Sequence, residues 1–137
     1  MSPPKRIRLS RAKGWRLPEG AVKVDRSTAL GNPFLVGIHG DAAECVYLFR
    51  LLLSGFFPVV KGLSLDDLRI KHRAIDQRFE ALRGKDLACW CQAGKPCHAD
   101  VLLELANAPT VTDFFEGNRK AIEAHLAAHG VCGASLC

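Results

Sequence analysis

Leu87-Ala-Cys-Trp-Cys-Gln-Ala-Gly-Lys-Pro-Cys-His-Ala-Asp-Val101 decides how the chain is read, because within it a short apolar run passes through a turn into a helix start. The apolar opening at Leu87 predicts a strand. Alternate side chains of a strand share a face, so Cys89 and Cys91 are expected to point together and Trp90 away. Pro96 punctuates the chain, and Cys97-His98-Ala99-Asp100 opens a run of helix formers reaching Ala106. Strand, turn and helix would bring three sulfurs and one imidazole to a single sheet edge.

Three readings of that cluster stay open. Cys89, Cys91, Cys97 and His98 make a three-sulfur, one-nitrogen ligand set for a soft metal, zinc being the cofactor it would take. Cys-x-Cys followed by adjacent Cys-His departs, however, from the paired Cys-x-x-Cys knuckles of ordinary zinc modules. Alternatively, Cys97 in the first turn of a helix is a thiol whose anion is favoured there, a nucleophile or anion-binding position. On the bland reading, the cysteines are small hydrophobes in a core and His98 lines a cleft.

Working outward, the 137 residues suffice for one domain. No apolar stretch approaches the roughly 20 residues of a membrane span, and the start Met-Ser-Pro-Pro-Lys-Arg-Ile-Arg lacks the apolar region of a secretory signal. A cytoplasmic protein with reduced or metal-bound cysteines and no membrane partner is the expectation. The net charge of +5 is concentrated: Lys5, Arg6, Arg8, Arg11, Lys13 and Arg16 occupy the first sixteen residues with no acid among them. Removing those six from 19 basic residues leaves 13 against 14 acidic ones. Residues 1–16 therefore read as a basic arm, 17–130 as a single α/β domain and 131–137 as a tail. Arg11, Lys13 and Arg16 suit phosphates, and Trp15 offers a ring for stacking on a base. A solvated arm with no ligand would look much the same.

Ala21 to Asp25 alternates like a strand, and Gly31-Asn32-Pro33-Phe34 has the composition of a turn. Helical periodicity follows from Asp41 to Ser54, from Ser64 to Gly84 with Ser64-x-x-Asp67 as a capping box, and from Thr112 to His129 through Phe115, Ile122 and Leu126. Strands alternating with helices predict an α/β domain whose sheet is at least partly parallel and flanked by helices. In such folds ligands bind beyond the carboxyl ends of the strands, which places Asp25 to Asn32 and Cys89 to His98 on one rim. No internal repeat, P-loop or Gly-x-Gly-x-x-Gly is present, so nothing points to a nucleoside triphosphatase or dinucleotide enzyme.

Arg11-Ala-Lys-Gly-Trp-Arg-Leu-Pro18, Val24-Asp-Arg26, Gly31-Asn-Pro-Phe34, Leu82-Arg-Gly-Lys-Asp-Leu-Ala-Cys-Trp-Cys91 and Cys97-His-Ala-Asp-Val-Leu-Leu-Glu-Leu-Ala-Asn107 together resemble the bacterial and phage proteins of domain-of-unknown-function family 4326. These blocks cover most of residues 8–107. The resemblance implies that the arm, the Asn-Pro loop and the Cys-His helix start belong to one shared design, without supplying a reaction. Gln92 to Pro96 replaces a proline-rich turn between the cysteine pairs, and residues after Asn107 lie outside the resemblance.

The leading expectation is an enzyme that binds a nucleic acid or nucleotide and acts on its nucleobase, by N-glycosidic hydrolysis or a related step. Asp25 or Asp100 would activate water, His98 would exchange a proton near neutral pH, Arg26 would hold a phosphate and Asn32 a base edge. The rival is a zinc-stapled nucleic-acid-binding module without catalysis. An iron–sulfur protein would need Cys132 or Cys137 as a further ligand.

Overall fold

The computed structural model describes residues 3–129. Three parallel strands, β1 (Arg6–Arg8), β2 (Val22–Lys23) and β3 (Leu87–Cys89), form a sheet in the order β1-β3-β2. Around it lie four helices, α1 (Ala42–Leu53), α2 (Leu65–Arg78), α3 (His98–Asn107) and α4 (Val111–Ala128). The expected α/β domain with a parallel sheet is what folds. No helix among the described residues is long and apolar enough to cross a membrane.

β3 is central because it can be buried on both faces: Leu87, Ala88 and Cys89 are all buried, the continuous apolar pattern of an interior parallel strand. Its register aligns Arg6 with Leu87 and Arg8 with Cys89 on one side, and Val22 with Leu87 on the other. Thus part of the basic segment is an edge strand. Arg6-Ile7-Arg8 continues into buried Leu9, whose N–H donates to the Cys89 carbonyl at 2.8 Å. β2 is shorter than the alternation of residues 21–25 suggests, although the Val24 N–H still donates to the Ala88 carbonyl at 2.9 Å.

The helix starts follow local chemistry. Asp41 and Glu44 cap α1 reciprocally at 2.8 and 3.1 Å, and Ser64 and Asp67 do the same for α2 at 3.0 and 2.8 Å. α2 ends at Arg78 and tightens into a 3₁₀ turn over Phe79–Leu82, where a continuous helix to Gly84 was expected. In α4 the buried positions are Phe114 and Asn118, while Phe115 stands 43% exposed. The core joins Val24, Phe34, Phe49, Leu52, Leu87, Val101 and Leu102, all without exposed surface. Each such large side chain contributes about 1.5–3 kcal/mol by leaving water. Asn118 bridges to α1, accepting from Arg50 Nη1 and donating to the Arg50 carbonyl at 3.0 Å each, while Arg50 also pairs with Glu104 on α3 at 2.7 Å.

Candidate metal centre and its cavity

The C-terminal ends of β2 and β3 and the start of α3 converge on a cavity of about 450 Å³. Its wall includes Asp25, Arg26, Asn32, Trp90 and His98, together with the sulfur-bearing residues Cys89, Cys91 and Cys97. Chain geometry explains the convergence. β3 delivers Cys89; Cys91 follows as the chain leaves the strand; the turn closed by the Lys95 N–H on the Gln92 carbonyl returns Cys97 to the same place. Cys97 is the N-cap of α3 and, unlike Asp41, Ser64 and Thr110, makes no side-chain cap bond. Its sulfur belongs to the cluster.

The Sγ atoms of Cys89, Cys91 and Cys97 lie within 4.8 Å of one another, those of Cys89 and Cys91 at 3.7 Å. Sulfurs bound tetrahedrally to one zinc at the usual Zn–S length sit roughly 3.8 Å apart. The trio fits such an ion with little rearrangement, and its donors are the soft ligands that zinc accepts. No fourth Cys, His, Asp or Glu atom joins the group at that range among the described residues.

His98 stands beside the trio. Nε2 lies 2.7 Å from the Val24 carbonyl oxygen, and because a carbonyl only accepts, that nitrogen carries a proton. Nδ1 thereby faces the Cys97 sulfur at 3.8 Å, and the ring packs edge-on against Phe49 at 5.3 Å. Burial opposes charge on His98, but contacts with the Cys89 and Cys97 sulfurs outweigh it and lift the pKa to about 9. Hydrogen bonds from Cys91 and Cys97 hold Cys89 well below the usual thiol range, while the same contact with Cys89 keeps Cys91 well above it. One sulfur ionises easily.

Asp25 is buried and held by two donors: Ser27 Oγ reaches Oδ1 at 2.7 Å and Trp90 Nε1 reaches Oδ2 at 2.9 Å. Trp90, expected to point away from the cysteines, therefore turns its ring into the wall they line, since the strand ends at Cys89 and alternation lapses. Arg11 lies over that ring at 4.5 Å, a cation–π contact. Gly31 lets the loop close: a Cβ there would meet the Asp25 carbonyl oxygen and Arg26 Cα at 2.6 Å. Asn32 is buried, accepts from the Phe34 N–H at 3.0 Å and donates to the Cys45 carbonyl at 3.2 Å, so it anchors the loop to α1 and keeps one N–H and one lone pair for a ligand.

Of the expected site residues, Asp25, His98, Arg26, Asn32 and the three cysteines meet in one wall. Asp100 does not: it is exposed, outside the cavity wall, and pairs with Arg6 at 3.4 Å. Lys13, Trp15 and Arg16 also lie outside that wall, and Cys132 and Cys137 lie outside the described residues. Sequence reasoning assigned no site role to Arg6, to Trp90 or to Cys45, which lines the cavity from α1 with its thiol pushed up by burial. The alternation Arg6-Ile7-Arg8-Leu9 was the available signal for the first of these.

A family model described as a domain of unknown function, DUF4326, matches residues 7–108. Neither a curated protein nor a solved structure matches the chain.

Proposed function

The chain belongs to the DUF4326 family, and from the site built by the matched segment we propose a metal-dependent hydrolase acting on a nucleobase, nucleoside or nucleotide, with hydrolysis of the N-glycosidic bond as its reaction. The observation that carries this reading is that three clustered sulfurs, with no fourth ligand atom within 4.8 Å of all of them among the described residues, open onto the same cavity as a buried carboxylate. Structural zinc sites are closed by four protein ligands, whereas catalytic sites keep one position for water or substrate. Zinc is the ion this donor set favours, and bound there it supplies Lewis acidity.

The chain's own residues take definite roles. Phe34, Val46 and the Trp90 ring give the cavity the apolar, aromatic lining that suits a base, and its volume falls within the range of small-ligand pockets. Asn32 offers its spare N–H and lone pair to a base edge. Arg26, exposed at the wall and without an ion-pair partner among the described residues, suits a phosphate. Asp25 is fixed by Ser27 and Trp90 yet keeps a lone pair on each oxygen, so it can take a proton from an attacking water. In that step the water oxygen bonds to C1′, the C1′–N bond breaks, and the released nitrogen is protonated.

The test joins metal content to product. Untagged protein is expected to carry about one zinc per chain, and chelation to lower its melting temperature, since ligand binding energy contributes to folding. Mass spectrometry of nucleoside, nucleotide and single-stranded substrates should show free base, lost in Asp25→Asn. Zinc without any product would favour the second reading, a zinc-stapled nucleic-acid-binding module. Arg11, Lys13 and Arg16 favour that alternative, being exposed and without ion pairs among the described residues. Replacing Arg11, Lys13 and Arg16 with Gln, which leaves β1 and buried Leu9 in place, would then flatten the salt dependence of strand binding.

A further inference from the structure

Arg6 extends from β1 to the first turn of α3, where it meets Asp100 three residues after Cys97, with only 13% of its side chain exposed. Nη2 is 3.4 Å from the Gln92 carbonyl oxygen, a long contact, and Nη1 is 3.4 Å from the Asp100 carboxylate. Nη1 is nonetheless fully buried without a partner at hydrogen-bonding geometry. A guanidinium nitrogen left in that state is costly unless a negative acceptor completes its shell. A Cys97 thiolate would supply it: burial lowers the guanidinium pKa, but the neighbouring Cys97 sulfur, Asp100 and Cys91 together raise it. Three thiolates on one divalent cation leave a surplus of one negative charge. Arg6 brings one positive charge.

We infer that Arg6 is a positioning residue of the metal centre, donating to the Cys97 thiolate and offsetting the surplus charge of the three-sulfur set. This rests on the reading that the trio holds a metal. Asp100 is then the outer partner that orients the guanidinium, which accounts for its place in the structure away from the cavity wall. Groups of this kind, which touch ligands and not the ion, typically change metal affinity 10- to 100-fold.

The experiment titrates the full-length, metal-free chain with cobalt(II), reading the sulfur-to-cobalt charge-transfer band, and then competes the cobalt with a chelator. Arg6→Met is expected to bind about 10- to 100-fold more weakly, with a shifted band. Arg6→Lys should recover most of the affinity, whereas Arg8→Met, an exposed cation on the same strand, should match the wild type. Asp100→Asn separates the roles: a small effect supports donation to sulfur, while a loss as large as that of Arg6→Met overturns it in favour of a structural ion pair. Unchanged affinity and band in Arg6→Met overturn this inference alone. A wild-type chain with no charge-transfer band removes the metal reading and this one with it. Should Arg6→Met fail to fold, Arg6→Gln must show the same weakening or the inference falls.

Discussion

Replacing His98 with Ala tests whether the imidazole is part of the frame as well as of the site. Its Nε2 donates to the Val24 carbonyl at 2.7 Å, tying α3 to the end of β2, and its ring fills space beside Phe49 at 5.3 Å. Alanine strands that buried carbonyl, at a cost of about 1–3 kcal/mol. Losing the ring's packing adds about 2 kcal/mol, so the total is about 3–5 kcal/mol. For a domain of this length that corresponds to a fall of roughly 10–20 °C in melting temperature. Urea and thermal unfolding of the metal-free chain, followed by circular dichroism, measure it. His98→Gln, whose amide N–H can reach the same carbonyl, should recover part of the loss. A deficit below about 1 kcal/mol for alanine would mean that the bond to Val24 stabilises nothing, and the account of His98 as a tie between α3 and β2 would be wrong.

Asn118→Ala should destabilise by about 2–4 kcal/mol, because a side chain 1% exposed exchanges two 3.0 Å hydrogen bonds with Arg50; chemical denaturation checks it. Gly31→Ala should cost at least about 2 kcal/mol, since the new methyl meets backbone atoms of Asp25 and Arg26 that cannot swing aside; thermal unfolding and base release should both suffer. Ser64→Ala should cost about 1 kcal/mol at neutral pH by removing a cap. Hydrogen bonds from Ser64 hold the Asp67 carboxyl below its ordinary value, so that stabilisation is present above the ordinary carboxylate pKa and is lost as pH falls through the folded one. The Ser64→Ala deficit should therefore shrink in acid, as unfolding curves at a series of pH values would show.

The stretch from Leu87 to Val101 was legible because its signals are local: an apolar triplet, a proline break and a run of helix formers make strand, turn and helix in the observed order. The capping box of α2 was legible for the same reason. β1 was not. Its three residues carry two arginines, and only pairing with a fully buried neighbour makes a strand of them, a cause that lies about eighty residues away in the chain. Trp90 was misplaced because strand alternation was extended one residue too far; the chain turns after Cys89, and the indole follows its bond to Asp25.

Asp100 shows how a correct element can still mislead about a site. His98 and Asp100 are two residues apart on α3, and a helix advances about 100° per residue, so their side chains leave it on nearly opposite sides. His98 turns inward to Val24 and the sulfurs; Asp100 turns toward β1, where Arg6 stands ready to pair with it. A spacing that suggests His-x-Asp cooperation thus separates the two groups, leaving Asp25, 64 residues upstream of Cys89, the first cysteine of the trio, as the buried carboxylate of the wall. Asp25 reaches that place because β2 and β3 are parallel neighbours, so their C-terminal ends open onto the same edge of the sheet. The carboxylate and the sulfurs meet through topology, and the basic segment joins them through β1, which seats Arg6 against Asp100 in the first turn of α3.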